Sequence, residues 1–296
     1  MSRDYSNTVS TARDYYNSSD ADNFYYSIWG GEDIHIGLYR SGEEPIRTAS
    51  RRTVEEMVSR IPELGEGHRV LDLGAGYGGA ARFLADTYGA EVVALNLSEV
   101  ENERNRQMSR EQGLDHLIEV VDGNFEDVPF EDASFDVVWS QDAILHSGDR
   151  DKVVSEVSRV LKPGGHFIFT DPMQADDCPP GVLQPILDRI HLETLGSPGF
   201  YRESCAAAGL SEVGFDERTA DLVRHYGRVL KETESRENDL EDVSTAEDVS
   251  TAEDVTAAKN ATTSSYIERM KKGLTHWIEG GKAGHLAWGI LHFRKK

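Results

Sequence analysis

One glycine-rich segment constrains the fold of this chain more than any other feature. The segment from Val70 to Gly79, VLDLGAGYGG, joins a short apolar run to four glycines. This pattern predicts a buried strand followed by a turn whose backbone can approach a ligand closely. Because the spacing Gly74-x-Gly76-x-x-Gly79 also satisfies the dinucleotide-binding fingerprint, the segment alone leaves the ligand open.

Short apolar strands alternate with helices on both sides of this segment. Strands are predicted at 69–74, 91–96, 116–121, 135–140 and 166–171, and helices at 46–60, 80–88, 98–113 and 150–161. A later helix at 200–208 and strands at 210–217 and 286–295 complete the pattern. The rhythm predicts a Rossmann-like α/β fold: a doubly wound, seven-stranded, mostly parallel sheet. The last strand lies far from its neighbours in sequence, so we expect it to be antiparallel, at the end of the sheet.

The chain divides into four parts in this interpretation. Residues 1–60 form an aromatic, helical lid segment, 61–217 the core, 218–283 a helical insertion and 284–296 the last strand. Within the insertion, EDVSTA occurs at 241–246 and 247–252, and EDVTAA follows at 253–258. These units are too short for a solenoid repeat and carry few large apolar groups, so residues 232–262 are predicted to form a surface loop.

Composition excludes several classes of function. The 296 residues include 31 basic and 53 acidic side chains, a net charge of −22, which disfavours nucleic acids and anionic membranes as partners. The two cysteines, Cys178 and Cys205, form no CxxC motif, so no metal site is expected. With no apolar leader or membrane-length run, the sequence predicts a cytoplasmic protein. The charge also suggests a protein from a salty cytoplasm.

Polar candidates follow the predicted strands where a ligand would bind. Ligands of such sheets bind beyond the carboxyl ends of the strands. Asn96 ends the second strand, where a dinucleotide enzyme has an acidic residue, and an amide can still bond a ribose diol. Asn124 and Phe125 follow the third strand, at a position suited to the edge and face of an adenine. The segment 139–146, WSQDAILH, follows the fourth.

In order and spacing, DLGAGYGG, ALNLS, DGNFEDVPF, FDVVWSQDAILH and VLKPGG resemble class I S-adenosylmethionine methyltransferases. WGGEDIHIGLY and SQDAILH are similar to sarcosine/dimethylglycine N-methyltransferases of betaine synthesis and to phosphoethanolamine methyltransferases. The resemblance covers roughly residues 10–220 and returns at the C-terminus. It implies S-adenosylmethionine as cofactor and S-adenosylhomocysteine as product.

The resemblance also implies roles for individual residues. Gly74, Ala75 and Gly76 would face the methionine part of the cofactor. Asn96 and Leu97 would hold the ribose and adenine, and Asn124 and Phe125 would flank the adenine. Ser140 and Gln141 would lie near the amino-acid end. Tyr16 and His146 are similar to the Tyr–His pair that closes the site in phosphoethanolamine methyltransferases. Those relatives have Arg in place of Gln141, which favours a smaller amine here.

Methyl transfer needs no metal but requires a neutral amine. His146 is a candidate proton acceptor because the ordinary histidine pKa lies near working pH. Asp142 is a candidate to hold the ammonium product or orient a water. A methylated ammonium favours aromatic walls through cation–π attraction. The substrate-binding candidates in the N-terminal segment are His35 and the aromatics Tyr25, Tyr26, Trp29 and Tyr39. Arg202, Arg189 and Lys272 are candidates for a substrate carboxylate, and the sequence does not choose among them.

The leading hypothesis is therefore an enzyme that methylates sarcosine or dimethylglycine, a small methylamine, to give glycine betaine. Three alternatives stay open at this stage. In the first, the enzyme methylates phosphoethanolamine, a lipid or a natural product. In the second, the protein is an NAD-dependent oxidoreductase, and in the third it is a binding protein that has lost turnover. The oligomeric state is not predicted.

Overall fold

The computed structural model describes residues 7–17, 24–236 and 253–296. Within them, seven strands form one sheet in the order β3-β2-β1-β4-β5-β9-β7. These strands are β1 Arg69–Leu73, β2 Glu91–Asn96, β3 Ile118–Asp122, β4 Phe135–Gln141, β5 Leu161–Thr170, β7 Leu210–Glu217 and β9 Gly289–Lys295. A separate two-stranded sheet pairs β6 Met173–Gln174 with β8 Leu286–Ala287.

Nine α-helices are present among the described residues. They are α1 Asn7–Tyr16, α2 Ile46–Val58, α3 Gly79–Tyr88, α4 Glu99–Glu111, α5 Arg150–Val160, α6 Gln184–Ile190, α7 Pro198–Ala207, α8 Thr219–Ser235 and α9 Glu253–Lys282. A π-helical turn at Tyr25–Gly30 and a 3-10 turn at Ile144–His146 contribute to the site. Helix α4 begins where expected, since the Ser98 hydroxyl accepts a hydrogen bond from the Glu101 amide at 3.2 Å.

The central strands are buried on both faces, as a parallel sheet covered by helices requires. Val70, Leu71 and Leu73 of β1 are fully buried, and β1 pairs in parallel with β2 and β4. The chain passes from β1 outward through β2 and β3, then returns to β4 on the other side of β1. This reversal places the switch point of the sheet beside the glycine-rich turn that follows β1, where ligands of such folds bind.

The predicted Rossmann-like sheet is confirmed, with one difference in the position of its last strand. β9 is antiparallel, as expected, but it lies between β5 and β7 and not at the end of the sheet. β7 is therefore an edge strand parallel to β5. A strand with buried residues along most of its length, Gly289 to Phe293, is stabilised more by two neighbours than by one.

The acidic repeat lies mostly outside the described residues, which stop at 236 and resume at 253. Residues 232–235 end α8 and residues 253–262 belong to α9, so both ends of the predicted loop are helical instead. Helices α8 and α9 pack together, and Leu222, Tyr226, Leu274 and Trp277 join one apolar cluster. Among the described residues, no helix combines the length and apolarity that a membrane crossing requires.

Candidate active site

A cavity lies beyond the carboxyl ends of β1, β2, β3 and β4. Seven of the nine residues predicted to bind the cofactor line it: Gly74, Gly76, Asn96, Leu97, Asn124, Phe125 and Gln141. We call this space the cofactor cavity. Val9, Arg13 and Tyr16 place one face of α1 along its wall. The strand ends and the N-terminal helix therefore enclose one site.

The glycine-rich turn adopts a backbone that only glycine accommodates easily. Gly74 has φ +75°, and a Cβ added there would lie 2.4 Å from the Ala143 Cβ. Its amide donates to the Leu95 carbonyl at 2.8 Å, which ties the turn to β2. Gly76 has φ +52° and faces Ile34. The turn therefore keeps its backbone close to both the cavity and the loop after β4.

Two of the predicted cofactor residues lie outside the cofactor cavity. Ala75 lines a smaller cavity on the other side of the turn, together with Asp72 and His35. Ser140 is fully buried, and its hydroxyl donates to the Leu73 carbonyl at 2.8 Å. Because the Ser140 side chain stabilises the pairing of β4 with β1, it does not face the site.

A buried carboxyl group that the sequence analysis missed lies next to Asn96. Glu101 of α4 is 4% exposed, lines the cofactor cavity, and accepts a hydrogen bond from the Asn96 amide at 2.9 Å. The charge that Asn96 lacks is thus supplied from the next helix. The pattern Ser98-x-x-Glu101, a capping box, marked the helix start and was the signal available in the sequence.

Gln141 carries a polar atom that the described residues leave unsatisfied. Its Oε1 accepts from Trp139 Nε1 at 2.9 Å, which fixes the amide, while its Nε2 is buried and has no hydrogen-bond partner among them. A buried donor without a partner is costly, so its place in a ligand cavity indicates that a ligand acceptor completes it. The residues present therefore fit a polar ligand with carboxylate or carbonyl oxygens.

A second cavity adjoins the first, and four residues line both. They are Tyr16, Ile34, Asp142 and His146. The three predicted catalytic residues thus lie together at the junction of the two cavities. We call the second space the acceptor cavity.

The predicted Tyr16–His146 pair is formed in the structure. The Tyr16 hydroxyl and His146 Nε2 are 2.9 Å apart, and the two rings meet edge to face. Burial raises the pKa of Tyr16 well above its ordinary value. Burial, with the nearby Arg150 guanidinium, lowers the pKa of His146 to about 4. Both groups are therefore neutral at neutral pH, and one hydrogen bond joins them.

The low pKa changes the expected role of His146. The sequence analysis made it a proton acceptor on the ground that a histidine pKa lies near working pH. At a pKa of about 4 the imidazole is a weak base, which cannot hold the proton of an alkylammonium. The structure instead favours a role in which the neutral His146 imidazole lines the cavities and orients Tyr16 through their hydrogen bond.

Asp142 is held rigidly at the junction. It has φ +52°, uncommon for a residue other than glycine. Its Oδ2 accepts from the Ile36 amide at 2.7 Å and its Oδ1 from Trp288 Nε1 at 2.8 Å. Burial raises its pKa above the ordinary value. The strain and the two hydrogen bonds together fix this carboxyl group between the cavities.

Of the five predicted substrate-binding residues, Tyr25, Trp29 and His35 line the acceptor cavity. Tyr26 does not: its ring is 42% exposed and lies under the Arg104 guanidinium, 4.4 Å from the ring centroid. The π-helical turn sends Tyr25 inward and Tyr26 outward. Tyr39 also lies elsewhere, because it is buried with its hydroxyl 3.1 Å from His225 Nδ1. Neither Tyr26 nor Tyr39 therefore lines the acceptor cavity.

The acceptor cavity also contains residues that the sequence did not single out. Helices α8 and α9 contribute Tyr226, Met270, Leu274 and Trp277, and α1 contributes Tyr15. Of the three candidate cations, only Arg189 lines this cavity. Arg202 pairs with Glu212 at the surface and Lys272 is exposed. Spacing along α9 could not reveal these contacts, since they depend on how α9 packs.

Comparison with known proteins identifies the family of this chain. A family profile described as "Methyltransferase domain" matches residues 71–169. A sarcosine/dimethylglycine N-methyltransferase of Halorhodospira halochloris is 61% identical over 287 residues, covering 97% of this chain and 96% of that protein. The chain belongs to the family of sarcosine/dimethylglycine N-methyltransferases. A relative of the same name from Aphanothece halophytica is 54% identical over 96% of each chain.

A solved structure agrees with this assignment. The crystal structure of a protein from Galdieria sulphuraria, assigned as a sarcosine dimethylglycine methyltransferase, has a TM-score of 0.81 and 42% identity, covering 94% of this chain and 99% of that one. This N-methyltransferase is therefore an S-adenosylmethionine-dependent enzyme. The alternative of an NAD-dependent oxidoreductase, which the glycine spacing left open, is wrong.

Proposed function

We propose that this enzyme transfers methyl groups to the nitrogen of sarcosine and dimethylglycine and gives glycine betaine. The observation that carries the proposal is the extent of the match to relatives named for these acceptors. The 61% identity extends over 97% of the chain. It thus spans the helices that enclose the acceptor cavity as well as the strand ends that form the cofactor cavity.

The cofactor residues have the following proposed roles. The backbone of Gly74 and Gly76 faces the methionine part of S-adenosylmethionine, and Gln141 Nε2 donates to its carboxylate. Glu101, steadied by the Asn96 amide, accepts from the ribose hydroxyls. Asn124 and Phe125 contact the adenine. Ala75 contributes through its backbone.

When bound, S-adenosylmethionine supplies an electrophilic methyl group on a sulfonium. The chain then has to place a neutral amine in line with that methyl group. Tyr16, His146 and Asp142 lie where the two cavities meet, and they align the amine there. Since neither Tyr16 nor His146 takes up the amine proton, the cavity binds the neutral amine after its proton has passed to water.

Aromatic rings support the charge that develops on nitrogen. Tyr15, Tyr16, Tyr25 and Trp29 are in mutual contact along one side of the acceptor cavity, with ring centroids 5.1–5.9 Å apart between successive members. A methylated ammonium beside such rings gains roughly 0.5–2 kcal/mol from each favourable contact. This environment selects an amine that becomes quaternary.

Substrate profiling tests the proposal. Purified protein with S-adenosylmethionine is offered glycine, sarcosine, dimethylglycine, ethanolamine and phosphoethanolamine at low and high salt, and S-adenosylhomocysteine is followed by mass spectrometry. We expect turnover with sarcosine and dimethylglycine and none with phosphoethanolamine. Cofactor binding without turnover on any of these amines would refute the proposed acceptor, and would indicate a larger acceptor or a binding protein.

The net charge of −22 supports a further part of the proposal, namely that the enzyme works at high ionic strength. Carboxylates at this density repel one another, and salt screens that repulsion. The cytoplasmic location expected from the sequence stays a prediction.

A further inference from the structure

Arg189 places a positively charged side chain at the wall of the acceptor cavity. Among the described residues that line this cavity, it is the one arginine or lysine. The carboxyl group that also lines it, Asp142, lies at the junction with the cofactor cavity, which Arg189 does not reach. The cavity therefore carries an acidic group beside the cofactor and a guanidinium away from it.

No carboxylate of the described residues forms an ion pair with Arg189. The contrast with Arg202 is direct, since Arg202 Nε pairs with Glu212 at 3.1 Å. Arg189 instead contacts the Met270 sulfur, which offers no charge. A half-buried guanidinium that forms no ion pair with the described residues is expected to bind an anion from a ligand.

A glycine in α9 makes room for this side chain. A Cβ added at Gly273 would lie 2.3 Å from Arg189 Nε and 2.6 Å from its Cδ. Gly273 is in the interior of α9, where glycine costs about 1 kcal/mol relative to alanine. The absent side chain therefore has a steric use, because it lets the Arg189 side chain lie across the helix at the cavity wall.

We infer that Arg189, seated over Gly273, binds the carboxylate of the acceptor and determines specificity for amino acids over amines that lack a carboxylate. The inference rests on the proposed function. Guanidinium and carboxylate match in a planar, two-bond geometry. With its carboxylate at Arg189, a small amino acid presents its nitrogen toward Tyr16, His146 and Asp142, beside the cofactor cavity.

The test compares two acceptors that differ in the carboxylate, dimethylglycine and dimethylethanolamine, in wild type, Arg189→Ala, Arg189→Lys and the control Arg202→Ala. Loss of a charge-assisted contact predicts that Arg189→Ala raises KM for dimethylglycine by about 10- to 150-fold. Activity on dimethylethanolamine and the dissociation constant for S-adenosylhomocysteine stay near wild type. Arg189→Lys keeps the charge but loses the planar geometry, so its KM for dimethylglycine should lie between those of wild type and Arg189→Ala. Arg202→Ala matches wild type in all readouts.

Gly273→Ala provides a second test that does not remove the charge. Alanine favours the helix, so the variant is expected to fold, while its methyl group displaces the Arg189 side chain. We expect KM for dimethylglycine to rise with little change for dimethylethanolamine. Unchanged preference for dimethylglycine in both Arg189→Ala and Gly273→Ala would overturn the inference while the proposed function stands. A wild-type enzyme inactive on sarcosine and dimethylglycine would overturn the proposed function and this inference together.

Discussion

Removing the hydroxyl of Tyr16 tests whether the junction of the two cavities acts as one unit. Tyr16→Phe keeps the ring that contacts Tyr15 and Tyr25 but deletes the hydrogen bond to His146 Nε2, 2.9 Å in length. Burial holds His146 neutral, and its half-buried ring nitrogen loses this hydrogen-bond partner in the variant. Such a group costs about 1–3 kcal/mol.

The loss in kcat/KM for dimethylglycine is therefore expected to be about 5- to 150-fold. Tyr26→Phe is the matched control, since Tyr26 belongs to the same N-terminal region but lines neither cavity. We expect it to have wild-type kinetics.

A double-mutant cycle with His146→Leu sharpens the result. If the two side chains act through their shared hydrogen bond, the double variant loses little more activity than His146→Leu alone. Because the pKa of His146 is lowered to about 4, wild type should also show no inflection in kcat near pH 6.5. Fully additive losses in the cycle, or a histidine inflection near pH 6.5 that disappears in His146→Leu, would refute this account.

Three further predictions follow from other contacts. Gly74→Ala places a Cβ 2.4 Å from the Ala143 Cβ and forces alanine into a left-handed backbone conformation. We expect the free energy of unfolding to fall by about 2–4 kcal/mol, measured by thermal unfolding. We also expect S-adenosylhomocysteine binding, measured by calorimetry, to be lost. Glu99→Gln weakens the contacts that bind α1 to α4 through Arg13 and Asn17, so the dissociation rate of S-adenosylhomocysteine should rise a few-fold at low salt and less at high salt. In wild type the Arg13 hydrogen bond holds the pKa of Glu99 at about 2, so this contact persists from pH 8 to pH 5 and weakens only as the pH falls through that value. Activity and the thermal midpoint should increase from dilute buffer toward about 1 M salt, and an optimum in dilute buffer would contradict the interpretation of the charge.

The sheet was predictable because its strands are short, apolar and separated by amphipathic helices. Each of β1, β2 and β4 begins and ends within about one residue of its predicted range. The position of β9 was not predictable in this way, since hydrophobic periodicity identifies a strand but not its neighbours. Its antiparallel insertion beside β5 depends on contacts between residues more than a hundred positions apart, such as Phe167 with Phe293.

The same distinction, between what local sequence determines and what packing determines, applies to the site residues. Residues at strand ends were found because topology brings the carboxyl ends of parallel strands together. Tyr26, Tyr39 and Ser140 line neither cavity, because their side-chain directions are set by a π-helical turn, a hydrogen bond to His225 and the pairing of β4 with β1. The sequence named Arg189 as one of three candidate cations and marked Glu101 only as part of a capping box. It could not choose further, because each residue lines a cavity from a helix whose packing decides which face points inward.

This division has a consequence for specificity. The cofactor cavity is formed mainly by turns after β1 to β4, and the acceptor cavity is completed by α1, α6, α8 and α9, which lie outside that part of the sheet. Substitutions on α6 and α9 can therefore change which acceptor binds without touching the glycine-rich turn. The junction residues Tyr16, Asp142 and His146 line both cavities, so we expect changes there to alter methyl transfer for every acceptor. Selectivity among acceptors is accordingly expected to map to Arg189 and Gly273, and the rate of transfer to the junction.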